Sequence, residues 1–135
     1  RVNWVKPSVA FLSEYIEKAQ IKTIITTGPP HGLHLIGLQL KEKHKVNWLA
    51  DFRDPWTTIG YHKQLKLTKA SQKKHQALEQ QVLQTANHII VTSENTKREF
   101  QQKTTQPITV ITNGYDVFKI PQVEKSSKFT ISHIG

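Results

Sequence analysis

The sequence predicts an α/β domain built on a parallel sheet with helices on both faces. Short β-branched runs alternate with longer segments of helical periodicity, in the order helix, strand, helix, strand, helix, strand, helix, strand. The run at 46–52 is apolar without strict alternation, as in a strand covered on both faces. Turn-forming clusters follow two of the runs, Gly28–Gly32 and Asn113–Asp116. At 135 residues the chain is long enough for one domain with a real core.

In order, Val9, Leu12, Tyr15, Ile16 and Ala19 recur at helical spacing and predict a helix over 8–20, with Ser8 as its N-cap after Pro7. The β-branched run 21–27 predicts a strand, and 28–32 a turn. Leu33, Ile36 and Leu40 form one stripe of a helix ending near His44. A strand is expected over 46–52, a loop through "RDPWTTIGYHKQ", and a long helix over 68–86 with Leu78, Val82 and Ala86 inward. Residues 88–93 and 108–112 are the next strands, separated by a helix to about Lys103 capped by Ser93 or Asn95. Gly114 in the turn "NGYD" can take positive φ. The polar stretch 122–128 is expected to be a linker and 129–135 a further strand. The chain starts with Arg1 and stops directly after an apolar run, which reads as a fragment of a longer protein.

Composition narrows the function. Charged residues at 21% and apolar ones at 36% are ordinary for a water-soluble domain. No apolar run approaches the roughly 20 residues of a spanning helix. The absence of cysteine excludes disulfides and thiolate metal sites and fits a reducing compartment. The formal net charge is +9, and its excess is local. Between Pro55 and Leu78 there is no acid, whereas Lys63, Lys66, Lys69, Lys73 and Lys74 fall there. Such a face is either solvated or turned towards phosphate-rich partners.

Ligands of open α/β sheets bind beyond the carboxyl ends of the strands, which singles out the loops 27–34, 51–56, 93–96 and 113–116. In the first, Pro29 and Pro30 suit a first helical turn, whose free N–H groups suit an anion. His31 and His34 share a helical face. Either one of them bonds a sugar hydroxyl or phosphate, or both only cap and pack; two histidines without cysteine are a poor metal site. In "DFRDPW", Asp51 and Arg53 share a face if the strand persists, and Arg53 is expected to pair with Asp51 or Asp54. The pair either anchors the loop or leaves one carboxylate free for polyol hydroxyls. Trp56 either stacks on a ligand or plugs the loop. No Walker motif, no G-x-G-x-x-G and no nucleophile triad of known spacing is present.

The succession "TTGPPHGLHLIGL", "WLADFRDPW", "LEQQVLQTANHIIVTSENTKREF", "VITNGYD" and "FTISHIG" resembles family-4 glycosyltransferases of the GT-B fold, especially bacterial members carrying "DFRDPW". The resemblance runs from about Ile21 to Gly135. It implies a Rossmann-like three-layer α/β/α domain with a parallel sheet, half of a GT-B architecture. Residues 1–121 would be a partial acceptor-side domain, 122–128 the interdomain linker, and 129–135 the first strand of a truncated donor-binding domain. The implied reaction moves a sugar, with retention and without metal, from a nucleotide sugar to a glycan or lipid-linked acceptor in cell-envelope polysaccharide synthesis. The implied place is the cytoplasm, with peripheral contact at the inner face of an anionic membrane. By the same resemblance His31, then His34, would line the reaction centre. The expected catalytic residues are His31 and Asp51. The expected substrate-binding residues are Gly28, His34, Arg53, Asp54, Trp56, Asn113, Gly114 and Gly135. No metal and no cofactor besides the donor substrate are expected, and the fragment alone should be inactive. A non-catalytic α/β ligand-binding module is the alternative. A nucleic-acid binder ranks lower, because Tyr61 is the only aromatic between Thr57 and Leu78.

Overall fold

The structure is a computed structural model that describes residues 3–114 together with Lys128, Phe129 and Ile131. The expected linker before Lys128, most of the strand expected over 129–135, and Gly135 lie outside the described residues. The elements are α1 (Val5–Lys18), β1 (Thr23–Gly28), α2 (Gly32–His44), β2 (Asn47–Phe52), a short 3-10 helix (Gly60–Leu65), α3 (Lys69–Thr85), β3 (His88–Val91), α4 (Glu94–Gln101) and β4 (Ile108–Val110). The four strands form one sheet in the order β1-β2-β3-β4, every pair parallel. The α/β, Rossmann-like class read from the sequence is the one observed.

Sequential strand order explains where the core lies. Right-handed crossovers between successive neighbours place their helices on the same face. Trp48, Ala50, Phe52, Ile89 and Val91 point to that face and are fully buried. They meet Leu35, Ile36, Leu38 and Leu40 of α2, Val82 and Leu83 of α3 and Phe100 of α4. On the opposite face Leu49, Asp51 and Ile90 are half-buried, and Ile25 is 64% exposed. Burial along β2 therefore alternates.

Helix ends differ from expectation where local chemistry allowed two answers. α1 starts a turn early, at Val5; Ser8 is inside it and donates its N–H to Trp4 O at 3.1 Å. Pro7 sits in the first turn, where its missing N–H leaves no bond unmade. Pro29 and Pro30 precede α2 rather than opening it. Thr68 caps α3 and Ser93 caps α4, each accepting at 3.2 Å from a backbone N–H three residues on. Asn95 instead accepts from the Arg98 guanidinium. Gly37 is required by packing, since a Cβ there would run into the Trp48 indole and the Thr26 methyl. Among the described residues no helix is long and apolar enough to cross a membrane.

Candidate functional site

Parallel pairing brings the carboxyl ends of the four strands to one edge. Side-chain and backbone bonds then tie the loops together. Arg53 N–H donates to Gly28 O at 3.1 Å, and Thr92 Oγ1 donates to Arg53 O at 2.9 Å. Thr27 and Asp51 are register partners on the open face, so the Thr27 hydroxyl donates to Asp51 Oδ2 at 2.7 Å. The Asp51 carboxylate is thereby fixed while half exposed. Beside it lies a groove of about 390 Å³ lined by Ile25, Asp51, Arg53, Thr92, Asn113 and Gly114, among others.

The expected ion pair of Arg53 is not formed: the ion pairs among the described residues involve neither it nor Asp51 or Asp54. Asp51 is engaged by the neighbouring strand, and Asp54 lies close enough to His31 for its charge to act on that imidazole. The guanidinium thus lines the groove with no carboxylate partner among the described residues. Gly114 does not adopt positive φ, and apart from its chain neighbours no atom of the described residues lies within 4 Å of where its Cβ would be.

The imidazoles sit on the other side of the sheet edge. His34 is fully buried, stacked on Phe52 at 4.3 Å between centroids, with Nδ1 at 2.9 Å from Thr26 Oγ1. That hydroxyl also accepts the Trp48 indole N–H at 2.8 Å. Burial first, and the nearby His31 second, push His34 down to about 3, so it is neutral at physiological pH. Its Nε2 has no hydrogen-bond partner among the described residues. Gly28 is needed here, because a Cβ would stand 2.8 Å from His34 Nε2 and 3.0 Å from His31 Nδ1.

His31 stacks on Trp56 at 5.3 Å and 17°. Both its ring nitrogens are buried without a hydrogen-bond partner among the described residues. Burial lowers its pKa; the charges of Glu79 and Asp54 oppose that shift and His75 adds to it. Trp56 is itself buried, closing its loop onto His31. His31, Gly32, Leu35, Trp56, Lys74 and Leu78 help line a second cleft of about 280 Å³ between α2 and α3. At the start of α2 the N–H groups of Leu33 and His34 already bond Pro30 O and His31 O, at 3.0 and 3.1 Å. The helix start thus offers an anion fewer donors than the sequence suggested.

The structure therefore gathers Asp51, Arg53, Asn113 and Gly114 in one groove. It places His31 and Trp56 in another, with Gly28 between them, and puts His34 in the core. Sequence reasoning missed Glu79. This carboxylate is 2% exposed. Oε1 accepts the backbone N–H of Trp56 at 3.1 Å and of Thr57 at 3.0 Å. Oε2 accepts the Thr57 hydroxyl at 2.7 Å and Lys103 Nζ at 3.1 Å. Lys103 also meets Glu99 at 2.6 Å. Burial alone would lower the Lys103 pKa, but the bonds and charges of Glu99 and Glu79 outweigh it and hold it raised. The available signal was a lone acid between Leu78 and Val82 on the inward stripe of α3. Among the described residues no group of three or more His, Asp or Glu could hold a metal ion.

A parallel α/β domain with a fixed carboxylate and a guanidinium at its carboxyl edge belongs to the class that binds polar ligands between strand-end loops. The sequence model described as Glycosyltransferase Family 4 matches residues 2–118, and the chain belongs to that family. It is a glycosyltransferase domain. Neither a curated protein nor a solved structure matches it.

Proposed function

We propose that the chain is the acceptor-side domain of a retaining, metal-independent hexosyltransferase using a nucleotide sugar. Its acceptor is a glycan or a lipid-linked saccharide of cell-envelope synthesis, met at an anionic membrane surface on the cytoplasmic side. The observation that carries this reading is the Asp51–Arg53 groove at the strand ends. A carboxylate held by Thr27 is ready to accept hydrogen bonds from sugar hydroxyls. A guanidinium with no carboxylate partner among the described residues suits a phosphate or carboxylate bidentately. The exposed Ile25 and Ile111 offer apolar surface to the C–H face of a sugar ring or to a lipid. Family membership supports the transferase reading, and the resemblance of "DFRDPW" supports the narrower terms. His31 is the proposed catalytic imidazole, with the stacked Trp56 ring as its wall.

The test is nucleotide release by the full-length protein from UDP-, GDP- and ADP-hexoses in the presence of a membrane lipid extract. Asp51→Asn and Arg53→Gln should each lower kcat/KM roughly tenfold or more, about 1.4 kcal/mol of transition-state stabilisation, with little change in Tm. Transfer at the parent rate in both variants would remove the groove from the site.

A further inference from the structure

We infer that Glu79 is a positioning residue: through Trp56 and Thr57 it sets the aromatic wall that faces His31. The inference rests on the reading that this wall belongs to the reaction site. Glu79 stands in the middle of α3, on the inward side of a helix whose other fully buried residues are Val82 and Leu83. A carboxylate in that place is costly unless every lone pair it offers is used. Here the two oxygens take separate jobs. Oε1 holds two consecutive amides, Trp56 and Thr57, which pins the backbone of the loop. Oε2 takes the Thr57 hydroxyl and Lys103.

The anchoring continues into α4. Lys103 bridges Glu79 to Glu99, and Glu99 accepts the Thr58 hydroxyl at 2.9 Å. Three consecutive loop residues, Trp56 to Thr58, are thus held by two helices through carboxylates. The other end of the loop is held through Arg53, by Gly28 O and Thr92 Oγ1. With the loop held at these points, the Trp56 ring lies nearly parallel to His31, at 17°. Packing alone would hold the ring against Leu35 and Leu78 without fixing the two amides. The buried acid therefore sets direction rather than filling space, as a group does that keeps a catalytic wall in register.

The test uses the full-length protein and variants Glu79→Gln and Glu79→Ala. The glutamine keeps an acceptor for the two amides but gives up the ion pair with Lys103; the alanine gives up both. The probe that needs no turnover is NMR of the His31 ring, whose Cε1–H resonance is shifted by the stacked indole. Glu79→Ala should move this resonance towards that of a free histidine, and Glu79→Gln should move it by less. In the transfer assay kcat/KM should fall roughly tenfold for the alanine, measured well below its unfolding midpoint, with partial recovery in the glutamine. A His31 resonance unmoved in Glu79→Ala, with kcat/KM within about twofold of the parent for the folded protein, would assign Glu79 to stability alone and overturn the inference. Should Glu79→Ala not fold, Thr57→Val removes one of the same bonds and must shift the resonance in the same direction; no shift there counts equally against it. If no substrate supports turnover, the proposed function fails, while the resonance still decides whether Glu79 positions His31.

Discussion

His34 illustrates how one residue type can serve two ends in one motif. Spacing put His31 and His34 on one face, which was legible. Which ring would enter the core was not, because Phe52 and Trp48, the groups that enclose His34, arrive from β2. The same distance hides the reason for Gly28 and Gly37, whose missing side chains leave room for imidazole and indole rings. The outcome has a pH consequence with a defined sign. His34 has a folded pKa of about 3, below the unfolded value of 6.5. Between those values only the unfolded chain takes up the proton, so its stabilisation is complete above 6.5 and is lost as pH falls towards 3. The slope is about 1.4 kcal/mol per pH unit in the lower part of that window. His31, also lowered, adds in the same sense. Urea unfolding between pH 7.5 and 5, above most carboxylate titrations, should show the loss in the parent and a shallower loss in His34→Gln. Parallel curves would assign the slope to other groups.

Elements were read more securely than sites, since β1, β3 and β4 were marked by short β-branched runs, β2 by an apolar one, and helices by apolar stripes. All four strands lie where the runs predicted, with ends that differ by a few residues. The misses were at termini, where two residues could do one job, as Ser93 and Asn95 could. The structure gives the cap to Ser93, in extended conformation, with its Oγ on Thr96 N–H. Asn95 lies inside the first turn and bonds Arg98 on the exposed surface. Ser93→Ala should therefore cost about 1 kcal/mol of unfolding free energy, whereas Asn95→Ala should stay within about 0.5 kcal/mol of the parent. Equal losses in chemical denaturation would mean the cap is shared. The role of the Glu79 anchor was hidden for a different reason, although its place on the inward stripe of α3 was visible. Its partners, the amides of Trp56 and Thr57, carry no side-chain signal, so only the folded loop shows that an acid is wanted there.

At the scale of the molecule the charge has a geometry the sequence could only suggest. The chain carries +9 formally, and α3 with the preceding 3-10 helix concentrates part of it. Lys66, Lys69, Lys73 and Lys74 are exposed, and Lys69 and Lys73 are one helical turn apart. Leu65, beside them, is 52% exposed, so the basic face carries an apolar point. Tyr61 is the only Phe, Tyr or Trp between Thr57 and Leu78 and none falls among Lys66 to Lys74, which disfavours stacking on nucleic-acid bases. A bilayer with anionic headgroups offers both the charge and a place for leucine. Each lysine near such a surface contributes about 1 kcal/mol, so reversing two of them should weaken binding by well over tenfold. The full-length protein should cosediment with vesicles containing phosphatidylglycerol and not with pure phosphatidylcholine. Binding should fall as salt rises from about 0.1 to 0.5 M, because the screening length shortens from about 10 Å to a few ångströms. Lys69→Glu with Lys73→Glu should abolish most of it, and Leu65→Ser should reduce it at constant charge. Equal cosedimentation with neutral vesicles, or tight binding to RNA that the vesicles cannot displace, would mean that this face serves another partner.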